Sequence, residues 1–556
     1  MGKRKAKKLR FLALYIIIPF LTFFLYTTLF AKISISSLVK AFVNISAQVN
    51  YSTFTVSFDE SIPSEVQESI KGSVDDIEFQ GIKRFEFVEN GEYIISQTER
   101  GDNGIYSVEY VPVGHMYWIK DSLSLEELQK LEKVYIGEGT TQISKGFLKQ
   151  ILDPEISFEE VGDMAASLKE SESIIGLVSP QNLDGAMKLL SFEDRYFLDN
   201  DGGSIYIGYG LKGEEDVDFV EGILRRNMLI KYEEQEIFTK DNIVKINMSG
   251  VVAISRGLAK VIDSNGDYNY PAREMGEFLA NSDLTHISNE VSFVDGCSVY
   301  SGLRFCSKPE YIEALVSSGV DIVELTGNHN NDFGSDKNAD SIEMYKEEGW
   351  DYFGGGLNSE DASKILYKEV KGNTIAFVGY NYFDTMLGSG ALASSTRAGA
   401  NSYSVEKLSS DIKEANEIAD IVIVTFQFQE CYSYPSSDVI YPICYKPLVV
   451  PDQKGTFRRA IDLGADLVVG TQAHQPQTYE AYKDGLIFYG LGNLYFDQSR
   501  WIGTRQGMVI SLYVKDNKIL QAQITPTLMG KDLITRLASD EDALQLLNLL
   551  KSARDF

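Results

Sequence analysis

Basic residues are in short supply in this chain: Lys and Arg number 52 against 80 Asp and Glu, a formal net charge of -28. That deficit argues against nucleic acid as a partner, because binding there begins with cationic neutralisation of phosphates. Cysteine is rarer, with 4 in 556 residues, and none sits in the tight C-x-x-C pair of a structural zinc site. Histidine also numbers 4, which limits the imidazole available to any metal centre. There is no internal repeat, heptad seam or low-complexity tract, so solenoid and coiled-coil architectures are excluded. Apolar material is ample at 44%, enough for real cores, and the length suggests about three to four domains at roughly 150 residues each.

The charge is unevenly placed. Residues 1–10 carry six basic side chains and no acidic one, and Phe11 to Ala31 then runs 21 residues without a charge. As a helix that run is about 31 Å long, sufficient for a hydrocarbon core. A cleavable signal peptide is the competing reading, but its apolar stretch is about 7 to 15 residues and no clean small-x-small site precedes Lys32. The expectation is an uncleaved single-pass anchor at 11–31 in the cell membrane. The basic tail 1–10 then faces the cytoplasm and the bulk of the chain lies outside. Without the six N-terminal cations the remainder holds 46 basic against 80 acidic residues, a net charge near -34.

Export permits disulfides. Cys297, Cys306, Cys431 and Cys444 allow three pairings, of which two short loops, Cys297 with Cys306 and Cys431 with Cys444, form the simplest set; metal ligation is the rival.

The fold class is α/β in two blocks. From about 45 to 240, strand-like runs such as Phe54 to Phe58 and Val134 to Ile136 alternate with helix-like ones, and Ser124 with Glu127 reads as a capping box. Gly137, Gly139 and Thr140, between a strand and a helix, have the form of an anion-binding turn, although a plain connecting turn is the simpler and preferred reading. The second block, 243–530, has strands at Val244 to Met248, Val320 to Leu325, Thr374 to Val378, Ile421 to Phe426, Leu467 to Val469 and Leu486 to Tyr489. A C-terminal helix within 531–556, capped by Ser539 and Asp542, follows.

Polar clusters follow four of these strands: Thr326 to Gly334, Gln427 to Glu430, Gly470 to Gln477 and Gly490 to Asn493. In open α/β sheets ligands collect at the carboxyl ends of strands. His329 and His474 both fall in these clusters beside amides and carboxylates, a mixture that suits Mn, Zn or Fe. Hydrogen bonding of both rings to loop backbone is the bland alternative.

The strings GNHNNDFG, AIDLGADLVVGTQAHQPQ and IFYGLGNLYFDQ come in the order of the CapA family, which the second block resembles: capsule-synthesis and poly-gamma-glutamate biosynthesis proteins related to metallophosphoesterases. The resemblance implies a four-layer αββα metallophosphoesterase-like sandwich over 243–530. It implies catalytic roles for His329, His474, Arg256, Asn328, Asn493 and Asp332, and metal ligands among Glu290, Asn328, His329, Glu430, Gln472 and His474. Arg256 would stabilise developing negative charge. Three departures stand out. Val251 occupies the place of a metal-binding Asp, Gln472 that of a His, and the His-Trp-Gly-x-Glu element appears as Phe426 to Glu430 without its His. Fewer than two divalent ions are therefore expected.

The two cysteine loops flank proposed site residues, and Tyr432, Tyr434, Tyr441 and Trp501 have the character either of a polymer groove or of packing. The block 45–240 is similar to a periplasmic-binding α/β module, with a structural spacer as the alternative. The functional expectation is a membrane-anchored protein of surface-polymer biosynthesis, anchoring or export. Its partners would be the membrane, a surface polymer or peptide-like substrate, and other envelope biosynthesis proteins. Metal-assisted hydrolysis or transfer stands against a degenerate, non-catalytic binding scaffold.

Overall fold

The computed structural model describes residues 53–79, 82–99, 104–171, 173–199, 202–214, 216–232, 238–388, 390–429 and 445–554. The basic tail, the expected anchor 11–31, Glu430, Cys431 and Cys444, and Tyr432, Tyr434 and Tyr441 lie outside these residues. Among the described residues no helix is long and apolar enough to cross a membrane.

The chain forms two compact units. One gathers 1–109, 140–154 and 206–236, and the other 110–139, 155–205 and 237–556. In the first, the strands Phe85–Phe87 and Tyr93–Gln97 flank Phe54–Phe58 in parallel, and Ile205–Lys212 runs antiparallel to Tyr93–Gln97. The helix Gln142–Ile151 is opened by Thr141, whose hydroxyl accepts from Ser144 N at 3.2 Å. Tyr106 Oη lies 3.1 Å from that hydroxyl, so the turn has a capping role of its own.

The second unit is built on two large sheets. In one, Val244–Val252, Leu284–Asn289, Ile322–Glu324 and Asp351–Phe353 run parallel in spatial sequence, and Gln506–Lys515 and Lys518–Met529 extend it antiparallel. In the other, Asn373–Asn381, Ile421–Gln427, Leu467–Gly470 and Gly485–Leu491 run parallel, with Pro476–Tyr482 antiparallel at one edge.

Alternation of side chains along each strand decides what faces what. Ile421 and Ile423 join Ile246, Leu284, Ile322, Leu467 and Ile510 in a core shared by both sheets. Val422, Val424 and Phe426 point the other way, against the helices Val405–Asn416 and Gln453–Asp462. The opposite outer face is covered by Arg256–Asn265, Ile312–Ser317 and Ser335–Glu347, through Leu258, Leu315 and Ile342. The result is helices outside two face-packed sheets. Tyr117 enters the central core and stacks on Tyr479 at 4.4 Å between ring centroids, which ties the stretch 110–139 into this unit.

Candidate functional site

Toward the carboxyl ends of the parallel strands the inner face changes from apolar to polar. On Leu284–Asn289 and its continuation the inward positions read Leu284, His286, Ser288, Glu290; from Ile322 they read Ile322, Glu324, Thr326, Asn328. His286 and Glu324 are both fully buried, with His286 Nε2 3.3 Å from Glu324 Oε2. Thr471 donates its hydroxyl to Glu324 Oε1 at 3.0 Å, and Thr326 donates to the same oxygen. This polar layer underlies the site.

Above it stands a cluster of amides centred on Gln427. Its Nε2 donates to Asn328 Oδ1 at 3.0 Å and to Gln472 Oε1, and lies 3.5 Å from Glu290 Oε1. The orientation of this amide follows from the backbone around it. Asn381 Oδ1 accepts from Asp384 N at 2.7 Å, and its Nδ2 donates to Thr326 O at 2.9 Å, which fixes which end of Asn381 is which. Asn381 Nδ2 also donates to Gln427 Oε1 at 2.7 Å, so Nε2 must be the end that meets the three acceptors. Glu290, Asn381, Gln427 and Gln472 are buried, and Asn328 and His329 are the half-buried residues of the group. Gly327 admits this packing: a Cβ there would stand 2.6 Å from Glu290 Cα.

Both predicted histidines lie beside this cluster and are held through Nδ1. His474 Nδ1 is 2.8 Å from Asn493 Oδ1, while Asn493 Nδ2 donates to Thr504 O at 2.9 Å. His329 Nδ1 is 2.8 Å from Asp332 Oδ2, which also accepts from Phe305 N at 2.8 Å. Each acceptor puts the proton on Nδ1 and the lone pair of the neutral ring on Nε2. A chain of rings joins the two: Phe305 lies 4.1 Å from His329, and Phe496 5.2 Å from His474.

Arg256 is sandwiched by the same two phenylalanines, at 4.5 and 4.7 Å. It takes a left-handed backbone, φ 51°, and binds Asp497 through Nε at 3.0 Å and through Nη2. Its Nη1 donates to Gly302 O at 3.3 Å. The guanidinium is thus engaged within the protein.

The Cys297–Cys306 disulfide is present, next to Phe305. Removing it with Cys297→Ser and Cys306→Ser is expected to lower stability by about 2 kcal/mol, given the short loop it closes. Chemical denaturation of oxidised native chain beside the variant would measure this, and equal midpoints would contradict it.

Among the described residues, which leave out Glu430, the donor set does not fit a binuclear metal centre. Val251, where the family's Asp is expected, is packed with Ala253, Val291, Phe305 and Phe496 in an apolar cluster. Among the described residues no three His, Cys, Asp or Glu side chains gather to hold a metal. At the place where Glu290, Asn328 and Gln472 converge, the Gln427 amide fills the position a cation would need. Gln427, which opens the polar cluster after its strand but carries no role in the resemblance, reaches the inner face by counting in twos from Ile421 and Ile423, whereas Phe426 points outward. Trp501 carries Arg500 over its ring at 4.3 Å.

Two facing sheets, outer helices and an amide and imidazole cluster at the parallel strand ends define an α/β sandwich with one strand-end site. Residues 245–498 match the family described as bacterial capsule synthesis protein PGA_cap, which bears out the resemblance of this part of the chain to the CapA family. The chain is 28% identical over 306 residues to the capsule biosynthesis protein CapA of Bacillus anthracis, covering 53% of this chain and 69% of that one. It is 25% identical over 292 residues to the PGA biosynthesis protein CapA of Bacillus subtilis (strain 168), covering 51% and 72%. Among solved structures, a hypothetical protein from Thermus thermophilus is similar at 13% identity and a TM-score of 0.31, over 51% of this chain and 98% of that one.

Proposed function

We propose that this chain is a membrane-anchored, extracytoplasmic CapA-family protein of capsule or poly-gamma-glutamate-type polymer biosynthesis, and that its strand-end site binds the polymer rather than hydrolysing it through two metals. The names of the relatives support the polymer class. The observation that carries the binding role is the Gln427 amide among the oxygens of Glu290, Asn328 and Gln472. It fills with a neutral amide the place where the resemblance alone would put a cation, and leaves the half-buried Asn328 and His329 to meet amide or carboxylate units of a ligand. The uncharged run at 11–31 and the basic tail before it support the anchor and its orientation. The block ahead of residue 240 would add a solute-binding module of periplasmic-binding type, and other envelope proteins would be partners.

A catalytic reading is favoured by one observation, the Nδ1 bonds of His329 and His474, which set the tautomer and orientation of both rings. There His329 and His474 would take and return protons, Asp332 and Asn493 would hold their orientation, and Arg256 would act through Asp497.

In the cell that encodes the chain, its deletion is expected to abolish surface polymer. Restoring Gln427→Ala in place of the native chain should leave polymer near the deletion level at equal protein abundance in the membrane fraction. Unchanged polymer on deletion would overturn the reading, and full restoration by Gln427→Ala would remove the site from it.

A further inference from the structure

We propose that a second surface of the large unit, away from the strand-end cluster, is a groove for a polycarboxylate chain. A concavity of about 800 Å³ is lined by Lys169, Lys454, Arg458, Lys483 and Arg554, with Asp163 and Glu480 as the carboxylates among its lining residues. In a chain with 52 cations against 80 acids, a hollow with five cations facing two carboxylates reverses the overall balance. Its volume is within the roughly 300 to 1,000 Å³ of ordinary ligand sites.

The positions of the cations explain what the groove would take. Lys454 and Arg458 lie one turn apart on Gln453–Asp462 and share a face. Lys169 comes from Met164–Glu170, Lys483 from the turn between Pro476–Tyr482 and Gly485–Leu491, and Arg554 follows Asp540–Ser552. Four separate segments thus present cations around one hollow, and small side chains, Ala165, Ala166, Ala186 and Ala481, leave the space between them open. A second hollow shares His115 and Tyr117 with the first and adds Lys120 and Lys551.

Carboxylate recognition is already displayed there. Arg458 donates from Nε to Glu480 Oε1 at 2.9 Å and from Nη2 to Oε2, a two-pronged bond to one carboxylate. Lys483 pairs with Asp462, but both side chains are exposed, so solvent screening makes exchange for a ligand carboxylate inexpensive. A flexible polymer with a carboxylate on each unit can meet several such cations at once, each contact weak and the sum strong. A flat bilayer cannot enter a concave surface. Repulsion from the acidic body is screened beyond about 8 to 10 Å at physiological salt, so the local cations decide binding at contact.

The identity of the ligand as a polycarboxylate rests on the reading above. The test uses the full chain in detergent and poly-gamma-glutamate of defined length, at ~0.15 M salt. The triple variant Lys169→Gln, Lys454→Gln, Lys483→Gln is expected to bind at least about tenfold more weakly, with a shallower dependence on salt. The charge-conserving triple, Lys→Arg at the same positions, should restore affinity and so exclude misfolding as the cause. Native affinity in the glutamine triple overturns the groove. If Gln427→Ala alone abolishes binding in that case, the strand-end reading stands without the groove. Polyphosphate binding as tightly as poly-gamma-glutamate overturns the carboxylate assignment. No binding by the native chain also overturns the groove, and the polymer assay in cells then judges the wider reading separately.

Discussion

Gly250→Ala is expected to destabilise the large unit by about 3 kcal/mol, the upper end for forced overpacking. Gly250 lies in Val244–Val252, where pairing with Leu284–Asn289 shifts register between Met248 and Val251. A Cβ there would stand 2.0 Å from Gly492 O and 3.0 Å from Gly492 C. Neither atom can turn aside as a side-chain tip would, because Gly492 O accepts from Val251 N at 2.9 Å. The next residue, Asn493, pairs with Val251 across the strands and holds His474. Relief by backbone movement would therefore disturb the site as well as the sheet. Chemical denaturation gives the measurement, with Gly390→Ala as control because nothing lies within 4 Å of a Cβ there; that change should fall within about 0.5 kcal/mol of native. Similar midpoints for the two variants would show that the close approach of 250 and 492 is not as described.

Six strands of this unit were legible as short apolar, mostly β-branched runs, whereas Leu284–Asn289, Pro476–Tyr482, Gln506–Lys515 and Lys518–Met529, richer in polar residues, were not. Ile421 to Phe426 became Ile421–Gln427, Leu467 to Val469 became Leu467–Gly470, and Thr374 to Val378 became Asn373–Asn381. Helix starts were legible where a side chain caps the first turn. Ser124 and Glu127 form the expected reciprocal box, and Ser539 accepts from Asp542 N at 3.3 Å. Local chemistry of this kind is written in neighbouring residues.

What depends on distant residues was not legible. The compact units group 110–139 and 155–205 with 237–556, because contacts such as Tyr117 on Tyr479 span more than three hundred positions and leave no local pattern. His286 and Glu324 stand in no motif of the sequence; their pairing needs two adjacent strands in register. The part played by Gln427 is also tertiary: the two-residue period of the strand sends Phe426 to the helical face and Gln427 to the site, where its partners come from three other segments. The expected disulfide at Cys297 and Cys306 formed, and its partner pair lies outside the described residues.

The same geometry makes a strong prediction about metals. A cation at the convergence of Glu290, Asn328 and Gln472 would have to displace an amide whose orientation Asn381 fixes through Asp384 N and Thr326 O. Turning that amide would set Gln427 Nε2 against Asn381 Nδ2, two donors facing each other in a buried place, at a cost of about 1 to 3 kcal/mol. Val251→Asp, Gln427→His and Gln472→His together remove the displaced amide and supply one carboxylate and two imidazoles beside Glu290 and His474. The triple variant is expected to bind Zn or Mn at least about 100-fold more tightly than the native chain, in line with the dependence of such sites on complete ligand shells. Calorimetric titration and metal content after dialysis would both report it. Gln427→His alone should gain less, because Val251 and its apolar neighbours still close one side of the site. A native chain that retains stoichiometric metal through dialysis, and loses it in Gln427→Ala, would mean that the amide is itself a ligand and that Asn381 does not govern its orientation.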